Sequence, residues 1–148
     1  MKLIIKNLCS DPWIYDIPLS SNSYINGSFS GYFTYTNKLA TIARVYTTKL
    51  LNEVELADIY IAKELRGKTG PNNKKWSHHI MTSILNAIQI RNFKKIWLWT
   101  TIDNIKAIKL YEKFSFKKQN FPNDKKKQIY EKYKWLEGQK IIYMTRNI

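Results

Sequence analysis

Apolar residues along this chain alternate in some stretches and recur every three or four residues in others, and that change of spacing lays out the elements. Residues 2–8, KLIIKNL, form a short apolar run suited to a first strand, bounded by Ser10, Asp11 and Pro12. From Cys9 to Ser28 the sequence holds two prolines, several Ser and Asn, and the aromatics Trp13, Tyr15 and Tyr24, without a helical stripe, which predicts mostly loop. Two runs rich in aromatic and β-branched residues follow, SFSGYFTYT (28–36) and ATIARVYTT (40–48); the Asn37-Lys38 turn between them predicts a hairpin. EVELADIYI (53–61) reads as the next strand. In 77–92, Ile80, Met81, Ile84, Leu85 and Ile88 make one apolar stripe at helical spacing. KKIWLWTT (94–101) is a buried strand, 104–114 a second amphipathic helix with Ala107, Ile108, Tyr111 and Phe114 inward, and IIYMTRN (141–147) the final strand. The charged stretch 117–140, interrupted by Pro122 and closed by Gly138, predicts a strand over 116–121 and an extended, partly helical connection. The order gives an α+β domain with a mixed central sheet.

Composition narrows this picture. The 148 residues fit one domain with one core, spanning 1–148. No apolar run approaches the roughly 18 residues of a membrane span, and MKLIIKNLCS is too short for a signal peptide's apolar region. A single cysteine, Cys9, cannot form an internal disulfide, so a reduced, cytoplasmic protein is expected. The net charge of +14 attracts polyanions: nucleic acid, an acidic membrane or a phosphorylated cofactor. Only Arg44, Arg66, Arg91 and Arg146 of the 25 basic residues are arginine, the better bidentate reader of bases and phosphates, so a dedicated nucleic-acid role is not favoured. Abundant Lys, Ile and Asn fit an AT-rich coding genome. His78 and His79, adjacent on a helix, point about 100° apart and lack partners at ligand spacing, so no metal site is expected.

The candidate chemistry gathers between Glu53 and Phe116. After the strand at 53–61 comes a basic loop, KELRGKTGPNNKK, and then a helix. A strand that runs through a Gly- and Lys-containing turn into a helix N-terminus suits phosphate, because free N–H groups and the positive helix end converge there. Further on, DNIKAIKLYEKFSF (103–116) places Asn104 and Tyr111 seven residues apart, on one helical face. These two segments resemble the acetyl-CoA site of the GNAT superfamily of N-acetyltransferases. Asn104, Ala107, Leu110, Tyr111, Glu112, Lys113 and Phe116 match its pattern Asn-x-x-Ala-x-x-Leu-Tyr-Glu-Lys-x-Gly-Phe, with Ser115 in place of Gly. Arg66-Gly67-Lys68 fits the start of its Arg/Gln-x-x-Gly-x-Gly/Ala phosphate loop, whereas Thr69 and Pro71 stand where the two essential glycines belong.

The resemblance implies a mostly antiparallel sheet splayed between its fourth and fifth strands, acetyl-CoA as cofactor, and transfer of acetyl to a primary amine on a small molecule or peptide. It implies a pyrophosphate loop remodelled around Arg66, Gly67, Lys68, Thr69, Gly70, Lys74, Lys75, Trp76, Ser77 and His78, with Ser77 as helix N-cap. Backbone N–H groups of Ile59, Tyr60 and Ile61 would polarise the thioester carbonyl where the fourth strand bulges. Asn104 and Ala107 would line the cofactor arm. Tyr111, a phenol with a pKa near 10, would protonate the departing thiolate. Glu55 occupies the position at which relatives place a catalytic glutamate. Strict alternation sets Glu53 and Glu55 on one face and Asp58 on the other, but a bulge would change the register, so Asp58 competes for the same role. Trp97 and Trp99 are expected in the core, whereas Trp13, Tyr15, Tyr24 and the 119–139 insertion would select the acceptor. The competing class is a polyanion-binding protein that keeps this fold without catalysis.

Overall fold

The structure is a computed structural model that describes residues 3–7, 28–47 and 52–148. The readings of Cys9, Trp13, Tyr15 and Tyr24 lie outside the described residues. Among the described residues, seven strands and three helices make an α+β fold: β1 (Ile4–Asn7), β2 (Phe29–Tyr35), β3 (Lys38–Thr47), β4 (Glu53–Ile61), α1 (Trp76–Ile90), β5 (Lys95–Thr101), α2 (Ile105–Lys113), β6 (Lys117–Gln119), α3 (Asn123–Lys132) and β7 (Ile141–Asn147). The sheet is mixed, in the order β1-β2-β3-β4-β5-β7-β6, with β4 and β5 parallel. The chain divides into two compact units, residues 1–96 with 148, and residues 97–147.

In the first unit β1 to β4 form an antiparallel meander. The β2–β3 turn falls at Thr36 and Asn37, both at positive φ, as a tight hairpin demands. Helix α1 packs on β2 and β3 with Ile80, Met81, Ile84, Leu85 and Ile88, all buried. Gly31 makes that approach close, since a Cβ there would stand 3.0 Å from Ile84 Cδ1 and 2.8 Å from Leu3 Cδ2. Burying an Ile or Leu stabilises by about 1.5–3 kcal/mol, so this stripe holds the helix, whose propensity alone is weak. The helix stops where Asn92 turns left-handed (φ 64°). Arg91 closes its end by donating from Nη1 to Ala87 O at 2.9 Å and lying 4.2 Å over the Phe29 ring.

The second unit has its own core of Trp97, Ile129, Leu136, Ile141 and Tyr143, with Trp99, Phe121, Tyr130 and Tyr133 against it. Both tryptophans of β5 are thus packing residues, as expected. The partly helical connection resolves into α3, anchored by Ile129, and a short 3-10 turn, Lys134–Leu136, anchored by the fully buried Leu136.

Candidate active site

Strand β4 carries the feature with most chemical consequence. Its pairing with β3 runs Val54 to Ala57 against Thr47 to Arg44, then resumes with Tyr60 opposite Ile42. Three steps on β4 therefore match two on β3, which is a β-bulge centred on Asp58 and Ile59. Asp58 takes the extra residue's strain at φ 51°, a left-handed conformation that Asp tolerates better than most residues. Past the bulge Ala62 donates to Ala40 O at 2.8 Å. The alternation of an antiparallel ladder then turns the Ile61 N–H away from β3.

The bulge also decides which acids share a face. Glu55 lies opposite Tyr46 and Ala57 opposite Arg44, so Glu55, Tyr46 and Arg44 project to one side. Alternation alone would send Asp58 to the other side. Instead the Tyr46 hydroxyl donates to Asp58 Oδ2 at 2.8 Å, and Arg44 Nη1 lies 3.7 Å from the same oxygen. Asp58 thus joins the Glu55 face. Arg44 and Tyr46 are buried, whereas the Asp58 side chain is 35% exposed. Sequence reasoning passed over both β3 partners. The available signal was Arg44 itself, the one charge inside the run 40–48, which must find an anion if it is buried.

The basic loop folds differently from expectation. Gly67, at φ 73°, turns the chain after a 3-10 turn at Lys63–Leu65. Residues 69–75 then close as a small hairpin: Thr69 bridges Lys75, Gly70 N–H donates to Lys74 O at 2.7 Å, and Asn72 and Asn73 are left-handed at the tip. The Trp76 indole lies so close to Gly70 that a Cβ there would stand 2.8 Å from Trp76 Cε2, and a His79 ring nitrogen meets Pro71 O at 2.8 Å. Several N–H groups that a phosphate cradle would use are therefore turned inward, those of Arg66, Lys68, Gly70 and Lys74 among them. Helix α1 begins at Trp76 with Lys75 as N-cap, so Ser77 lies within the first turn and caps nothing. His78 and His79 both donate their N–H to Lys75 O, leaving Trp76 and Ser77 as donors at the helix start. Arg66 folds back, its Nε on Ile61 O at 2.9 Å and its guanidinium over the Tyr60 ring. Lys68, Lys74 and Lys75 are exposed. The loop suits a pyrophosphate through lysine charge and two helix-start donors more than through a glycine nest. His78 is held below its usual pKa by desolvation and by the positive charge of Lys74, so it adds no charge at neutral pH.

In the second unit the 104–116 motif brackets helix α2. Asn104 is the N-cap, accepting from the Ala107 N–H at 3.4 Å while its amide donates to Thr100 Oγ1 at 3.2 Å. At the other end Phe116 N–H donates to Tyr111 O and Ser115 N–H to Glu112 O, a Schellman closure with Ser115 left-handed at φ 67°. That is why the family pattern prefers glycine at this position. The Tyr111 and Phe116 rings meet edge-on at 6.0 Å, the apolar contact that accompanies such a closure. Tyr111 is mostly buried, and its hydroxyl makes no hydrogen bond among the described residues. Burial pushes its pKa up to about 12, so the expectation of an ordinary phenol gives way to a more firmly protonated one. Ala107 is half-buried, with Ile108 the inward anchor of the helix.

By sequence, no family description and no curated protein matches the chain. Solved structures do. The IAA acetyltransferase of Bacillus cereus aligns over 99% of this chain and 100% of its own, with a TM-score of 0.66 at 13% identity. A Bacillus subtilis acetyltransferase in complex with CoA aligns over 82% of this chain and 76% of its own (TM-score 0.55, 14% identity). The GNAT domain of S. lividans PAT aligns over 82% of this chain (TM-score 0.60, 11% identity), which spans 61% of that one, under two thirds of its length. The chain has the GNAT acetyltransferase fold.

Proposed function

We propose that this chain is an acetyl-CoA-dependent N-acetyltransferase, working as one domain, that moves acetyl to a primary amine by direct transfer. The observation that carries the reading is the β4 bulge, which interrupts the ladder with β3 just before Tyr60 and Ile61 in a chain with the acetyltransferase fold. When bound, acetyl-CoA supplies an acetyl group activated as a thioester. Backbone N–H groups of Ile59 to Ile61 beside the bulge would receive the negative charge that develops on the carbonyl oxygen. Lys68, Lys74, Lys75 and the N–H groups of Trp76 and Ser77 hold the pyrophosphate, with Arg66 and Gly67 shaping the approach. Asn104 and Ala107 line the pantetheine arm. Tyr111, protonated throughout the working range, donates a hydrogen bond to the leaving sulfur, and a carboxylate on β4 accepts the amine's proton. The resemblance assigns that last role to Glu55.

Direct calorimetry with CoA and acetyl-CoA tests binding, and thiol release with spermidine, kanamycin, an alanine-initial peptide and a lysine-containing peptide tests transfer. One-to-one CoA binding with turnover of at least one amine is expected. A second reading, a catalytically silent polyanion binder, is favoured by the internally bonded 69–75 hairpin and the +14 charge. Tight, steeply salt-dependent binding of DNA without CoA binding would select it.

A further inference from the structure

The Glu55 assignment meets a geometric difficulty. A base must come within about 2.6–3.2 Å of the proton-bearing nitrogen, or act through water, while that nitrogen attacks a carbonyl held at Ile59 to Ile61. Glu55 lies two regular strand steps, about 6.6 Å at 3.3 Å per residue, before Ala57, and the bulge separates it further from Ile59. Asp58 is one residue from those donors. The bulge turns it onto the Glu55 face, and its carboxylate is gripped at one oxygen by Tyr46 and Arg44 yet is 35% exposed. Asparagine or glycine would occupy a left-handed bulge position at no greater cost, so the conformation does not explain a charged residue here. The buried Arg44 explains a negative charge. It does not explain why that charge is exposed.

We infer that Asp58 is the carboxylate that contacts the acceptor amine and takes its proton, with Tyr46 as its positioning residue and Glu55 as an outer acid on the same face. This rests on the acetyltransferase reading. The amine nitrogen adds to the thioester carbonyl carbon as a C–N bond. Its N–H, acidified by the positive charge the nitrogen gains, passes a proton to Asp58. The C–S bond breaks with its electron pair on sulfur, and the thiolate takes a proton from solvent with Tyr111 as hydrogen-bond donor. Asp58 returns its proton to water through its exposed side. An ammonium acceptor therefore becomes amide, thiol and one released proton.

The experiment measures kcat and acceptor KM for thiol release from acetyl-CoA with the four amines above, alongside CoA affinity and melting temperature. Among the described residues, the charged and titratable groups on the Asp58 face of β2 to β4 include Arg44, Tyr46, Glu53, Glu55, Tyr60 and Tyr32. Asp58→Asn, which keeps the side-chain shape, should lose about 10²-fold or more in kcat with CoA affinity unchanged. Glu55→Gln should lose less than about tenfold. Tyr46→Phe, which keeps the ring, should lower kcat by about tenfold with acceptor KM, CoA affinity and melting temperature little changed, a split that a purely structural contact would not produce. If Asp58→Asn fails to fold because Arg44 loses its anion, Tyr46→Phe decides. Wild-type kcat in Tyr46→Phe, or wild-type turnover in Asp58→Asn beside a dead Glu55→Gln, overturns the inference and leaves the acetyltransferase reading standing. Wild-type protein that binds CoA yet turns over none of the amines overturns both.

Discussion

Burial of Tyr111 makes a quantitative statement about stability that can be tested without any substrate. The phenolate is the charged form, desolvation disfavours it, and the folded-state pKa rises to about 12 against about 10 in an unfolded chain. Between these values the unfolded state has lost the proton and the folded state has kept it. The contribution is therefore fully present below pH 10 and is lost as pH rises through 12. Its full size is two pKa units at 1.36 kcal/mol each, about 2.7 kcal/mol, and about 2 kcal/mol of that should be gone by pH 11.5. Tyr111→Phe keeps the ring against Phe116 and has no proton to lose. Lysines and the other tyrosines titrate in both proteins and cancel in the difference. Thermal unfolding followed by circular dichroism at pH 9 and pH 11.5 should show the wild type losing about 6 °C more than Tyr111→Phe. Parallel losses would mean that the hydroxyl is well hydrated in the folded protein, and the case for a desolvated, firmly protonated donor would fall with it.

Ser115→Gly should stabilise the fold by about 1 kcal/mol, because the Schellman closure holds that residue at φ 67°; a denaturant midpoint at or below wild type would refute this. Gly70→Ala should weaken CoA binding and lower the melting temperature, at a cost of about 1–3 kcal/mol, since its Cβ would press on the buried Trp76 ring; unchanged calorimetry and melting would show that the hairpin yields freely. Replacing Lys74 and Lys75 together by Ala should weaken CoA more than a pantetheine fragment lacking the pyrophosphate, and equal losses would return those contacts to Arg66 and Lys68. On a confirmed acceptor, Tyr111→Phe should cost about 10²–10³-fold in turnover with little change in CoA affinity, whereas wild-type turnover would leave Tyr111 as a helix-closing aromatic only.

Local pattern determined a good deal of this protein. The stripe from Ile80 to Ile88 can face a core only as a helix, and the runs at 28–36, 40–48 and 53–61 can pair only as a meander, so both are written in residue spacing. The 104–116 motif was legible for a related reason: a cap, an apolar face and a closing turn are interactions among residues no more than five apart. What residue spacing left open depends on groups distant along the chain. Glu55 and Asp58 share a face because β4 carries one more residue than the stretch of β3 that pairs with it. A two-residue period cannot report that mismatch, since the ladder between two strands sets it. The basic loop offered lysines to a phosphate, but it closed on itself because the Trp76 indole covers Gly70 and Pro71 O meets His79, eight residues on. Tyr111 is a phenol in any reading of the chain, yet how firmly it holds its proton was decided by the packing that removes water from around its ring.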